Sequence, residues 1–167
     1  PHPHSCPRNC SGRSLLQTVR KVHATAAYTA DSTFEELVPH EISAKGLAKV
    51  RKDKTSATIG TLWMKRALSF ICMFLKLLVE SDAPSKDVAY QTYQTILKPY
   101  HGWLASKGVG MTMSMVPYRA TIFTSLGFAD AAEAKEKLSA LVAAIEPALN
   151  DLNTMLAAQG ADFPDKV

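Results

Sequence analysis

Long apolar runs are missing from this sequence. The longest, residues 67–75, is ended by Lys76, whereas a membrane-spanning helix needs ~20 apolar residues in succession. No segment combines a basic start with an apolar core and a small-residue cleavage site, so a secretory signal peptide is not expected. These absences predict a soluble protein.

Cysteine is scarce as well. Cys6, Cys10 and Cys72 form an odd set, and Cys72 lies in an apolar segment, where a thiol packs as a small hydrophobe. This usage favours the reducing cytoplasm. His2 and His4 stand close to Cys6 and Cys10, but their spacing matches no structural zinc site. Neither a metal nor a cofactor is therefore expected.

Catalytic motifs are also missing. The sequence contains no P-loop, no His-Glu-x-x-His, no Gly-x-Ser-x-Gly and no paired carboxylates in an apolar context. Gly108-Val109-Gly110 is similar to the start of a dinucleotide-binding loop, but it lacks a third glycine and a preceding strand. We therefore expect a binding protein rather than an enzyme.

Strand-forming residues are outnumbered by Leu, Ala, Met and Lys, which favours an all-α fold. The 167 residues, 47% hydrophobic and 20% charged, suffice for one domain with a single core. Residues 1–12 contain three prolines and a glycine, so we predict an unstructured lead there. Residues 13–167 then form the helical domain.

Apolar periodicity and capping residues predict the helices. The main helix is predicted to start at Thr55 or Ser56, and its width of apolar surface predicts a central position. Its apolar stripe comprises Ile59, Trp63, Ala67, Phe70, Phe74 and Leu77. Before this helix, the sequence predicts a helix from Ser14 and a second helix that opens with a capping box at 32–35 and stops or kinks near Pro39. After it, a helix capped by Ser85 is expected to bend at Pro99, and another to run from Pro117 to Gly127. The last predicted helix runs from Asp130 to about Ala158 and bends near Pro147. The Gly- and Met-rich segment 108–115 predicts close packing.

The net charge of +4 is concentrated in one short basic segment. It contains Lys45, Lys49, Arg51, Lys52 and Lys54, which is typical of a solvated loop and also of a surface that meets anionic lipid or nucleic acid. No aromatic residue interleaves with these cations, so bases would have no stacking platform. We expect no nucleic-acid partner.

Four segments, taken jointly and in order, resemble the glycolipid transfer protein family. They are LWMKRALSFI at 62–71, LKPYHGW at 97–103, VPYR at 116–119 and DKV at 165–167, and the similarity extends over residues 32–167. The resemblance implies an all-α, two-layer helical sandwich that lacks the family's first helix and holds a lipid between its layers. It also implies a cytoplasmic monomer that carries glycosphingolipids between membranes by transient membrane contact, without a chemical reaction.

The resemblance assigns roles to individual residues. Trp63 would stack on the sugar ring of a glycosphingolipid, and His101 would hydrogen-bond the ceramide amide. Trp103 and Lys107 would dock the protein on the membrane. The pocket for the acyl chains would be lined by Phe70, Phe74, Leu97, Val109, Met113, Ile122 and Leu126.

Departures from the family leave alternatives open. The family binds the headgroup with an acidic residue, an asparagine four residues later and a lysine three residues after that. The nearest alignment places Asn9, Arg13 and Leu16 at these three positions. Arg13 favours a phosphorylated ceramide, but Trp63 stands where the phosphate-binding branch has arginine, so a sugar-bearing lipid ranks first. Asp165 replaces the family's near-terminal tyrosine. A diverged or truncated relative, acting as a lipid sensor or a helical interaction scaffold, is the other alternative.

Overall fold

The computed structural model describes residues 33–113 and 115–166. These residues form helices and connecting turns without a strand, which confirms the predicted all-α class. The elements are α1 (Phe34–Lys45), α2 (Leu47–Lys52), α3 (Ala57–Glu80), α4 (Ser85–Ile96), a 3-10 turn (Lys98–Tyr100), α5 (Trp103–Met113), α6 (Arg119–Ser125) and α7 (Ala131–Ala158). None of these described helices is both long and apolar enough to span a membrane.

Helix α3 lies at the centre, as predicted, and packs most extensively on α7 and α4. The Ser56 side chain accepts a hydrogen bond of 3.3 Å from the Ile59 backbone N–H, which caps the helix at one of the two predicted residues. One apolar cluster joins α3 to α1, α2 and the C-terminal segment, residues 159–166, through residues that include Val38, Leu62 and Phe163. A second cluster joins the far end of α3 to α6 and α7.

The deepest face of α3 differs from the predicted stripe. Thr58, Leu62 and Lys65 are buried against neighbouring helices, whereas Trp63 and Phe70, on the predicted stripe, are only half-buried. The difference arises because Lys65 buries its aliphatic stem and keeps its ammonium in an ion pair. An aromatic face of α3 is therefore left partly uncovered by the described residues.

Proline does not stop α1, contrary to one of the two expectations. Pro39 lies inside the helix, which continues to Lys45. Only one backbone hydrogen bond is lost there, and burial of Leu37 and Val38 outweighs it. The capping box also lies one residue later than predicted, because the Thr33 backbone N–H donates to the Glu36 carboxylate at 3.2 Å.

The helix boundaries around Pro99 and Pro117 also differ from the prediction. Helix α4 ends at Ile96, and Pro99 belongs to the separate 3-10 turn, since proline lacks the N–H that would continue the helix. Ser85 does not cap α4. It is the first residue of the helix, and its hydroxyl donates to the Pro117 carbonyl oxygen. Helix α6 consequently begins after Pro117, with Tyr118 as its N-cap.

Helix α7 begins and ends where the sequence predicts. The Asp130 carboxylate accepts a 2.8 Å hydrogen bond from the Glu133 backbone N–H, and the helix runs without interruption through Pro147 to Ala158. Gly127, with φ of 88°, ends the segment before it in a conformation that favours glycine.

The basic segment is helical except for Lys54, which lies in the turn after α2. Gly46, with φ of 80°, separates α1 from α2, and Lys45 pairs with Glu41 at 2.8 Å and Asp53 at 3.3 Å. These contacts give the segment partners within the described chain, and burial of Val50 fixes α2 against the core.

Most of the described residues in the Gly- and Met-rich segment are exposed, contrary to the expected close packing. Met111 and Met115 are each 77% exposed, because α5 packs mainly on α4 and presents its other side outward. The predicted helix from Ser14 and the His2, His4, Cys6 and Cys10 set lie outside the described residues.

Candidate functional site

The structure brings together the two residues on which the sequence hypothesis depends. Trp63 lies on α3, and His101 lies in the break between the 3-10 turn and α5. Their ring centroids are 5.9 Å apart, and their planes are inclined by 24°. Both side chains are half-buried. An aromatic platform and an imidazole thus share one site.

His101 contacts one hydroxyl group, that of Tyr93, which in turn donates to the Ser106 hydroxyl, and no local pattern in the sequence indicated either residue. The Tyr93 hydroxyl lies 3.3 Å from His101 Nδ1 and 3.1 Å from the Ser106 hydroxyl oxygen. Burial lowers the pKa of His101 below its usual value, which favours the neutral ring. A neutral ring has one donor nitrogen and one acceptor nitrogen, so the contact with Tyr93 leaves Nε2 for another partner.

Arg66 connects the site to the C-terminal segment. Its guanidinium carbon lies 5.0 Å from the Trp63 ring centroid and 3.5 Å from that of Tyr100. One terminal nitrogen donates to the Phe163 carbonyl oxygen and lies 3.5 Å from an Asp162 carboxylate oxygen. The side chain is 3% exposed, and its Nε has no hydrogen-bond partner among the described residues.

Two further basic residues fasten the C-terminal segment. The Lys65 ammonium lies 3.0 Å from the Asn153 side-chain oxygen and 3.3 Å from Asp162. Arg51 donates to both oxygens of Asp165, at 2.7 and 2.9 Å, and its guanidinium carbon lies 5.6 Å from the Phe163 ring centroid. The hydrogen bonds from Arg51 lower the pKa of Asp165, which keeps this carboxyl ionised at neutral pH.

A cavity of about 220 Å³ lies between α2, α3 and the C-terminal segment. This volume is below the ~300–1,000 Å³ of pockets for drug-sized molecules, so it suits a single ring. The lining combines an aromatic platform with apolar and mostly cationic side chains: Arg51, Lys54, Ile59, Leu62, Trp63, Arg66, Phe163, Asp165 and Lys166.

The candidate acyl-chain residues fall into three environments. Phe70 and Phe74 stack, with centroids 6.3 Å apart and planes inclined by 2°, and Phe74 and Ile122 pack against the second apolar cluster. Leu97, Val109 and Met113 are half-buried. Leu126 is 53% exposed, so the structure places this residue at the surface.

An exposed apolar surface surrounds the start of α5. Trp103 is 72% exposed, and Leu104, the next residue, is also exposed. The Lys107 ammonium lies 4.3 Å from the Trp103 ring centroid, which is a cation–π contact. Asn9 and Arg13, the remaining candidate headgroup residues, lie outside the described residues.

Comparison with known proteins decides the family. A family model described as glycolipid transfer protein matches residues 13–128, which is more than half of the chain. The chain belongs to the glycolipid transfer protein family. This confirms the resemblance that the motifs around Trp63 and His101 indicated.

Curated relatives of this family include plant and fungal proteins. The chain is 30% identical to glycolipid transfer protein 1 of Arabidopsis thaliana, over 69% of this chain and 56% of the relative. It is 27% identical to the glycolipid transfer protein of Aureobasidium melanogenum, over 83% of this chain and 65% of the relative. The chain thus spans between about half and two thirds of the length of these relatives.

Solved structures of the family share the fold. Human ceramide-1-phosphate transfer protein, in complex with 12:0 ceramide-1-phosphate, matches with a TM-score of 0.82 at 19% identity, over 90% of this chain and 76% of the other. FAPP2 matches with a TM-score of 0.77 at 21% identity, over 92% of this chain and 76% of the other. Its structure shows how FAPP2 selects simple glycosphingolipids using this fold. These matches confirm the predicted two-layer helical sandwich.

Proposed function

We propose that this chain binds a glycosphingolipid and transfers it between membranes without a chemical reaction. The observation that carries the proposal is that Trp63, which lines a cavity of about 220 Å³, lies next to His101. Family membership supports it, since the relatives include proteins named for glycolipid transfer. The proposed binding domain comprises residues 13–167, with residues 1–12 as a lead.

The headgroup would bind at the aromatic end of the site. The Trp63 indole is rigid and flat, so it suits the apolar face of a sugar ring. His101 has one ring nitrogen against Tyr93, and the other would bond the ceramide amide, which needs a partner once it leaves water. Asn9 and Arg13 remain candidates for further headgroup contacts.

The acyl chains require an apolar enclosure. Exposing a methylene to water costs ~0.8 kcal/mol, so a chain of about sixteen carbons costs over ~10 kcal/mol. The half-buried aromatic face of α3 supplies part of such a lining, beginning with Phe70 and Phe74. The other proposed lining residues are Leu97, Val109, Met113, Ile122 and Leu126.

Membrane contact would occur through the start of α5. Trp103 is amphipathic and exposed, and such residues favour the membrane–water interface. Lys107, next to the indole, adds attraction to anionic lipid. The proposed protein is a cytoplasmic monomer that touches membranes transiently to load and release its lipid.

A phosphorylated ceramide is the second candidate ligand. The cavity beside Trp63 contains four cationic side chains and one carboxylate, Asp165, among the described residues. This excess of positive charge favours an anionic headgroup. A matched solved structure holds ceramide-1-phosphate, which agrees with this alternative.

Lipid transfer between liposomes tests the proposal. Donor vesicles containing galactosylceramide and unlabelled acceptor vesicles are mixed with wild type, Trp63→Ala or Tyr90→Ala. We expect Trp63→Ala to reduce transfer at least about tenfold because the stacking platform is lost. Tyr90→Ala is the matched control, since Tyr90 is an exposed aromatic residue on α4. Equal transfer by wild type and Trp63→Ala would reject the role of Trp63.

A further inference from the structure

One carboxylate lies in the wall of the cavity beside Trp63. Among the described lining residues, Asp165 alone is acidic. Sugar rings present hydroxyl groups around an apolar face, so a sugar on Trp63 needs hydrogen-bond partners at its edge. Asp165 lines the same small cavity as the indole and is therefore placed to meet such an edge.

The contacts of Asp165 leave part of its acceptor capacity unused. Arg51 approaches both carboxylate oxygens, through Nε at 2.7 Å and a terminal nitrogen at 2.9 Å. A carboxylate has about four acceptor positions, and a guanidinium has five N–H donors in a fixed fork. Each partner can thus make further hydrogen bonds while the pair stays intact.

The segment that carries Asp165 is held against the rest of the site. Asp162 pairs with Lys65 and Arg66, and the Phe163 carbonyl accepts a hydrogen bond from Arg66. These contacts position the segment along α3, near Trp63. Arg66 also lines the cavity, and its Nε is buried without a partner among the described residues.

We propose that Asp165 and Arg51 act together as a hydroxyl-reading pair, which hydrogen-bonds the hydroxyl groups of a sugar and thereby selects an uncharged sugar over a phosphate. This inference rests on the proposed function. Asp165 accepts from sugar hydroxyls, and Arg51 both orients it and donates to neighbouring oxygens. The same carboxylate repels a phosphate headgroup, which offers it no comparable donor. Asp165 is thus an acidic residue in the C-terminal segment that contacts the headgroup.

The test compares three lipids with matched variants. Wild type, Asp165→Asn, Trp63→Ala and the control Asp151→Asn, an exposed carboxylate on α7, are assayed with galactosylceramide, ceramide-1-phosphate and ceramide. We expect Asp165→Asn to lower galactosylceramide transfer about tenfold, because hydrogen bonds to a charged acceptor are lost. Ceramide transfer should stay unchanged, and ceramide-1-phosphate transfer should rise. Asp151→Asn should match wild type with all three.

The outcomes separate this inference from the proposed function. Wild-type transfer of galactosylceramide by Asp165→Asn, combined with a loss in Trp63→Ala, would overturn the hydroxyl-reading role and leave the proposed function standing. An equal loss for all three lipids in Asp165→Asn would show a structural role only and would also overturn it. Full recovery by Asp165→Glu supports the inference, since the longer side chain keeps the carboxylate. No transfer of any lipid by wild type would reject the proposed function itself.

Discussion

Glu41 stabilises the start of α3 and hence the position of Trp63. Its side chain is 5% exposed, and its carboxylate accepts from the Thr58 backbone N–H and hydroxyl and the Ser56 hydroxyl, each at 2.8 Å. Lys45 also pairs with it at 2.8 Å. Burial alone would raise the pKa of Glu41, but these partners together lower it from 4.5 to about 2.

The shifted pKa gives the expected cost of removing this charge. A pKa lowered from 4.5 to about 2 corresponds to ~3 kcal/mol of the free energy of unfolding at ~1.4 kcal/mol per pKa unit. Because the folded-state pKa is the lower one, this contribution is fully present above pH 4.5 and is lost as the pH falls towards 2. Glu41→Gln should therefore lower the melting temperature at pH 7 by about 6–12 °C.

Urea unfolding at several pH values measures this effect. We expect the stability difference between wild type and Glu41→Gln to shrink to less than about half between pH 7 and pH 3. Glu35→Gln, at an exposed position on the same helix, should behave as wild type throughout. A loss from Glu41→Gln that stays the same at pH 7 and pH 3 would refute the assignment to an ionised carboxylate.

Two further predictions concern the amide-binding and membrane-contact residues. Tyr93→Phe removes the hydroxyl that contacts His101 Nδ1. Transfer of every ceramide-based lipid in the vesicle assay should therefore fall about 2- to 10-fold, and unchanged transfer would contradict this positioning role. Trp103→Ala removes an exposed indole, so sedimentation with vesicles and the transfer rate should both decrease while binding of a lipid in detergent does not; wild-type sedimentation would show that the protein docks elsewhere.

Local signals predicted the long helices well. Ser56 and Asp130 precede sustained apolar periodicity, and both cap helices in the structure. Pro39 and Pro99 were harder to interpret, because whether proline is tolerated depends on the burial of its neighbours and on the contacts of the flanking turns. Ser85 likewise bonds the Pro117 carbonyl, a partner distant in sequence, and this contact has no local signature.

The candidate site was predicted only in part. Trp63 and His101 came from a family resemblance, and the structure places them side by side. Arg66 is three residues from Trp63, so helical spacing was the available signal that both share one region of α3. Asp165 pairs with Arg51 across most of the chain, and no spacing rule predicts a contact of that kind.

Native mass spectrometry tests the central claim most directly. The protein is purified from cells that contain both glycosphingolipids and phosphorylated lipids, and the wild type is compared with Trp63→Ala. We expect the wild type to retain one lipid whose fragments include a hexose and a ceramide, and the Trp63→Ala variant to lose it. Wild-type protein that carries no lipid, or one that carries only glycerophospholipid, would contradict the proposed glycosphingolipid binding.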